Sequence, residues 1–118
     1  MFDLSLAESA YELALADGGH TLFLDYFFVS GYCVAYHEWE LVVPIEDRQA
    51  CIKAIRNHVI LAETVSDPVD AVGLWVNDGK LYIDLIRVYR DQVEAELAGR
   101  TEQQLAIFCL DDQTVINL

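Results

Sequence analysis

The chain has 118 residues, with Asp+Glu 20 against Lys+Arg 7, a formal net charge of −13 and a hydrophobic fraction of 54%. That length suits one domain around one core, and the apolar content excludes intrinsic disorder. A pI near 4.2 argues against electrostatic binding to nucleic acid or to an anionic membrane, since both need a basic face. Basic protein surfaces are left as the expected partners.

No run of roughly 20 apolar residues is available to span a bilayer. The start Met1-Phe2-Asp3-Leu4 has neither the basic region nor the small-residue cleavage site of a secretory signal, so a cytoplasmic location is expected. Cys33, Cys51 and Cys109 are odd in number and widely spaced, with no C-x-x-C pair. They predict buried free thiols, not a disulfide framework or a zinc ribbon, and no metal or cofactor is expected.

In chain order, Ser5 with Glu8 has the spacing of a helix-capping box. Leu6, Ala10, Leu13 and Ala14 then recur at helical spacing as the expected apolar stripe, and Gly18-Gly19 ends the helix. From Leu22 to Val43, aromatic and β-branched residues predict two or three strands broken near Ser30-Gly31, with Pro44 closing the block. Ile45 to Ala62 predicts a second helix with Cys51, Ile52, Ile55, Val59 and Ala62 inward, and with Glu46 and Asp47 in its first turn. Ser66-Asp67-Pro68 is a loop. Ala71–Val76 and Lys80–Val88, joined through Asn77-Asp78-Gly79, predict a β-hairpin. Asp91 with Glu94 starts a short third helix through Leu97, with Gly99 expected as a left-handed cap. Residues 104–110 and 114–116, turning at Asp111-Asp112, form a last hairpin. The expected architecture is α+β: a single domain over residues 1–118, an antiparallel or mixed sheet with about three helices packed on it. Within it, residues 1–47 supply an acidic helix plus aromatic strands, and residues 71–118 a hairpin-helix-hairpin module.

The second half carries Gly73-x-Trp75-Val76-x-Asp78-Gly79-Lys80-x-Tyr82-x-Asp84-x-x-Arg87-Val88. Asp91, Glu94-Ala95, Gly99-Arg100 and Gln104-x-Ala106-Ile107 follow. This pattern resembles the tail of a group of small proteins encoded by bacteria and their phages, which runs hairpin, short helix, last strand. Gly31-Tyr32-x-Val34 is similar to an upstream element of that group, whereas Phe108-Cys109 departs from it, where the pattern has Trp or Tyr followed by Asp. The resemblance implies a fold and a mobile-element setting, with the cytoplasm of a host cell as location. It implies no catalytic residue, and it leaves the first helix and the segment Leu22–Val29 unaccounted for.

Chemistry-bearing patterns are sparse. Cys33 and His37 share parity if they lie in one strand, and Cys51 and His58 share a helix face, but neither spacing is that of a closed metal site or an activated thiol. Asp111-Asp112 reads as a turn, and Gly18-Gly19 lacks the Lys-Ser/Thr of a phosphate loop. Asp84 and Arg87, of opposite parity, are expected on opposite faces of their strand, Asp84 on the side of Tyr82. No catalytic residue is assigned and the chain is not expected to be an enzyme.

Charge is placed unevenly. Met1 to Asp47 holds no Lys or Arg but nine acids: Asp3, Glu8, Glu12, Asp17, Asp25, Glu38, Glu40, Glu46 and Asp47. Carboxylates beside exposed rings suit a basic groove, the charges setting encounter and the rings anchoring. The expected contact residues are Glu8, Glu12, Asp25, Tyr26, Phe27, Glu38, Trp39 and Glu40, with Glu38 and Glu40 on one strand face around Trp39. The expectation is a small acidic module that docks on and inhibits a basic nucleic-acid-binding or defence protein. Two alternatives stand beside it. One is a small-ligand binder or enzyme with a pocket of Tyr32, Tyr36, His37, Trp75, Tyr82 and Arg87. The other is a self-assembling component, such as a homodimer, that buries the rings of Leu22–Val29.

Overall fold

A computed structural model describes residues 4–118; Met1, Phe2 and Asp3, on which the signal-sequence reading and one of the nine acids fall, lie outside the described residues. The elements run α1 (Leu4–Asp17), β1 (Gly19–Phe23), β2 (Tyr32–Ala35), a 3-10 turn (His37–Trp39), β3 (Leu41–Pro44), α2 (Arg48–Thr64), β4 (Ala71–Asn77), β5 (Lys80–Tyr89), α3 (Gln92–Thr101), β6 (Ala106–Cys109) and β7 (Thr114–Asn117). The strands form one antiparallel sheet in the order β1-β4-β5-β2-β6-β7, with β3 also paired to β5. The class is α+β, as the sequence predicts. None of the described helices is long and apolar enough to cross a membrane.

The sheet is organised by β5, whose side chains alternate between two environments. Leu81, Ile83 and Leu85 are fully buried beneath α1 and α2, together with Val72 and Leu74 of β4. The hairpin that joins β4 to β5 closes through Asp78 and Gly79, with φ of 53° and 72°. A positive φ at both central residues gives the turn twist that suits a two-residue hairpin, and this is why Asp-Gly stands there.

Along one edge of β5, β2 and β3 lie end to end. Ala35 is opposite Ile86 and Leu41 is opposite Ile83, so five intervening residues face two. The surplus of three coils into the 3-10 turn His37–Trp39. The expected strand through Trp39 is therefore corrected: Glu38 and Glu40 do not share a strand face, and His37 does not share one with Cys33. The turn's polar backbone is satisfied by other elements, as an interrupted ladder requires. The His37 N–H donates to Glu102 Oε1 (2.7 Å) and the Trp39 carbonyl lies 2.7 Å from His58 Nε2. A carbonyl can only accept, so Nε2 carries the proton. The Trp39 ring turns inward against the α1/α2 core and meets Tyr36 edge-on, centroids 5.4 Å apart.

Helix α1 buries Ala7, Ala10, Tyr11 and Ala14. The expected stripe is half right, because Leu6 and Leu13 stay 49% and 44% exposed. A small-residue face lets the helix sit close to α2 and the sheet, and the Tyr11 hydroxyl donates to the Ile45 carbonyl (2.8 Å). Leu4 is already helical, so Ser5 lies inside α1 and does not precede it. Helix α2 starts later than expected: Asp47 is its cap, accepting from the Ala50 N–H (3.2 Å).

Helix α3 is capped by Asp91, which accepts from the Glu94 N–H (2.9 Å), and it packs over β2 and β6 through Ala95 with Val34 and Ile107. It runs through Gly99 to Thr101, so Gly99 is not a left-handed cap; Gln103 takes that conformation (φ 59°). Gly99 is required for close approach instead, since a Cβ there would lie 2.6 Å from Leu118 Cδ1 and 2.9 Å from Ile107 Cγ2.

Candidate functional site

All three helices lie on one side of the sheet, the side of Leu81, Ile83, Leu85 and Val34. Among the described residues, the other side is covered only by what its own strands and loops supply. Phe23 of β1 stands there beside Ala71 and Ile86. Residues 25–29, expected as strand, form with the expected break at Ser30-Gly31 one loop that folds over this cluster through Phe28. Phe28 packs onto it, while Phe27 and Tyr26 stack edge-on against Phe23 and Phe28 (5.1 and 4.9 Å between centroids). Phe27 stays 71% and Tyr26 68% exposed.

The same face continues along the hairpin. Trp75, Tyr82 and Val42 form one cross-strand row. Trp75 is 52% exposed, its ring lying against Gly19, where a Cβ would come within 3.7 Å of it. One row further, Asp84 is paired with Gly73 of β4 and adjoins Glu40, which immediately precedes β3. Asp84 is largely buried, its Oδ1 has no hydrogen-bond partner, and its carboxyl is within hydrogen-bonding reach of Glu40. Burial first, and then the adjacent Glu40, push the Asp84 carboxyl up to about 7. Adjacent carboxylates repel each other, and this favours the protonated form of the Asp84 carboxyl.

Glu8 and Glu12 lie elsewhere. They project from α1 on the helix side, where both pair with Arg48 of α2 (3.1 Å to Glu8), and Arg48 also covers the Tyr11 ring. These carboxylates tie two helices together. Glu38 is exposed on the 3-10 turn.

The six residues expected to line a ligand pocket are split by the sheet. Trp75 and Tyr82 stand on the helix-free side, whereas Tyr32, Tyr36 and Arg87 stand on the helix side; His37 is exposed. The opposite placement of Asp84 and Arg87 follows their parity, as expected. Tyr36, Arg87 and Tyr89 meet in a cleft of about 150 Å³ against α3, with Ala98 and Glu102 on its far wall. Glu102 and Tyr89 give no signal in the sequence, because only the packing of α3 brings them to β2. Tyr32 donates to Gln92 Oε1 (3.3 Å).

All three thiols are buried, and those of Cys33 and Cys51 are unactivated. Cys33 is pushed up to about 12 by burial and by Asp70, and Cys51 to about 11 by burial and by Asp47. Cys51 Sγ donates to the Pro44 carbonyl (3.3 Å) and His58 serves Trp39, so that pair forms no nucleophile-base arrangement. Among the described residues, no group of three or more His, Cys, Asp or Glu side chains is arranged to hold a metal. Asp111 and Asp112 act as turn residues: Asp111 Oδ2 accepts from the Gly31 N–H (3.2 Å), and Asp112 Oδ1 accepts from the Thr114 hydroxyl (2.6 Å). Comparison with known families, with curated proteins and with solved structures finds no significant match to this chain.

Proposed function

We propose that the chain is a small acidic protein-binding module that docks through the helix-free face of its sheet onto a basic protein surface and blocks it. The observation that carries this reading is the coincidence, on one face, of exposed Tyr26, Phe27 and Trp75 with the Asp84–Glu40 carboxyl pair. Rings of this kind leave water readily on contact and anchor an interface, while an overall charge of −13 steers a cationic partner toward it. Asp25, beside the two loop rings, adds to that charge; Glu8 and Glu12 are committed to Arg48 on the opposite layer. Inhibition of a nucleic-acid-binding or defence protein in a host cytoplasm is the setting that the resemblance of residues 73–107 favours.

The test is co-purification from the native host as salt rises from about 0.1 M to about 1 M, which shortens the Debye length from about 10 Å to about 3 Å. A single partner of high pI, released by salt and by Asp25→Lys with Glu40→Lys, supports the proposal. A partner held equally at both salt concentrations and by the charge-reversed protein overturns it. The same rings also suit a second copy of the chain, and light scattering separates the two: a monomer at high concentration leaves the face to a different protein.

A further inference from the structure

The helix layer is not continuous. Helices α1 and α2 cover β1, β4 and the start of β5, whereas α3 covers β2 and β6. The cleft at Arg87 lies on the α3 side of this seam, floored by Val34 and Ala35 and walled by Ala98 of α3, with no lining residue from α1 or α2.

Arg87 is held in the seam by neutral groups. Its guanidinium carbon lies 4.7 Å from the centroid of the Tyr89 ring, and its charge lies near the Tyr36 hydroxyl. Tyr36 gives its own proton to the Pro68 carbonyl (2.6 Å), so toward Arg87 its oxygen offers only lone pairs. Among the described residues the arginines in ion pairs are Arg48 and Arg100. Acids are in nearly threefold excess along the chain, yet none of the described carboxylates pairs with Arg87.

Glu102, at the end of α3, lines the same cleft. Its Oε1 is anchored by the His37 N–H, which leaves Oε2 for another donor. One cation and one anion therefore face a common space, each fixed to its own supports and not to the other. What completes such a pair is a molecule carrying both charges. The volume, about 150 Å³, has room for several waters, enough for a very small zwitterion and too little for a nucleotide.

We propose that this seam binds a small α-amino acid, its carboxylate on the Arg87 guanidinium and its ammonium on Glu102, with any side chain toward Val34 and Ala98. A planar guanidinium fork matches a carboxylate in two parallel hydrogen bonds. The site is on the side of the sheet away from the docking face, so it stands or falls independently of that reading.

The test is titration of the full chain with glycine, alanine and serine, followed by calorimetry and by the NMR shifts of Arg87, Tyr36 and Tyr89. Acetate and methylammonium supply each charge alone. The expected result is saturable binding of at least one amino acid, with acetate and methylammonium each weaker by about tenfold or more. Arg87→Gln and Glu102→Gln each weaken binding by about tenfold or more, and Arg87→Lys falls between. Circular dichroism checks the fold of each variant; should Arg87→Gln not fold, Glu102→Gln on the rim decides the matter. The proposal is overturned if no amino acid shifts those signals, if acetate binds as well as alanine, or if Glu102→Gln binds as the parent does.

Discussion

The two faces of the sheet come from the same strands and differ in what finishes them. On β5, Leu81, Ile83 and Leu85 point under two helices and are fully buried, while Tyr82 and Asp84 between them point to a side that no helix covers. The helix side is closed by aliphatic side chains and by the alanines of α1. The other side is closed by aromatic rings from a loop, and it keeps a buried carboxyl next to a second one. Stability is therefore concentrated on one side of this molecule, while the features that suit recognition are gathered on the other.

If that division holds, Ile83→Ala produces the largest change, a loss of about 2–5 kcal/mol by transfer and cavity terms, read as a shifted midpoint of denaturant unfolding. The matching truncation across the sheet, Trp75→Ala, leaves stability within about 0.5 kcal/mol, because its ring is half in water. Equal losses at the two positions break the comparison.

Asp84 comes next, through pH. Its folded-state value of about 7 lies above its ordinary value of 3.8, so between them the folded chain binds more protons than the unfolded one. Stability accordingly falls as pH rises from about 4 to about 7 and levels off above that. Asp84→Asn removes this penalty and stabilises the protein by about 2–4 kcal/mol at about pH 8, with little gain at about pH 4. Urea unfolding of both proteins at the two pH values measures it; a gain independent of pH contradicts the carboxyl pair.

Gly99→Ala probes the close packing of α3 on the helix side. The added methyl meets Leu118 and Ile107, and the expected loss is about 1–2 kcal/mol after the gain in helix propensity is subtracted. The smallest effect belongs to Arg48→Ala, whose pairs with Glu8 and Glu12 are exposed. Thermal unfolding should barely move, and the little that does should vanish in high salt.

Much of this architecture is legible in the residues alone. Parity separates Asp84 from Arg87, Asp-Gly fixes the central hairpin, and Asp91 with Glu94 marks the start of α3. The inward face of α2 is written in its apolar spacing. Where such patterns mislead, tertiary packing decides. Alanine and leucine compete for the inner face of α1, and close approach selects the alanines. The turn His37–Trp39 depends on His58 and Glu102, distant in sequence, to satisfy its backbone, so no local signal announces it. For the same reason the sequence points to an exposed anchor at Trp39, when the exposed indole of this chain is Trp75. Gly99 resembles a cap in sequence, and only its contact with Leu118 shows another use. Among the expected contact residues, the loop rings and Glu40 meet on one face, whereas Glu8 and Glu12 are drawn to Arg48.

The most direct test of the helix-free face as the docking surface compares three tagged proteins recovered from the native host under identical conditions. They are the parent, Phe27→Asp with Trp75→Asp, and Leu13→Asp with Ile60→Asp, the last pair being exposed on α1 and α2. The account predicts one basic partner carried by the parent and by the helix-layer variant and lost from the Phe27/Trp75 variant, with all three equally folded. A partner retained by the Phe27/Trp75 variant, or lost only from the helix-layer variant, contradicts it.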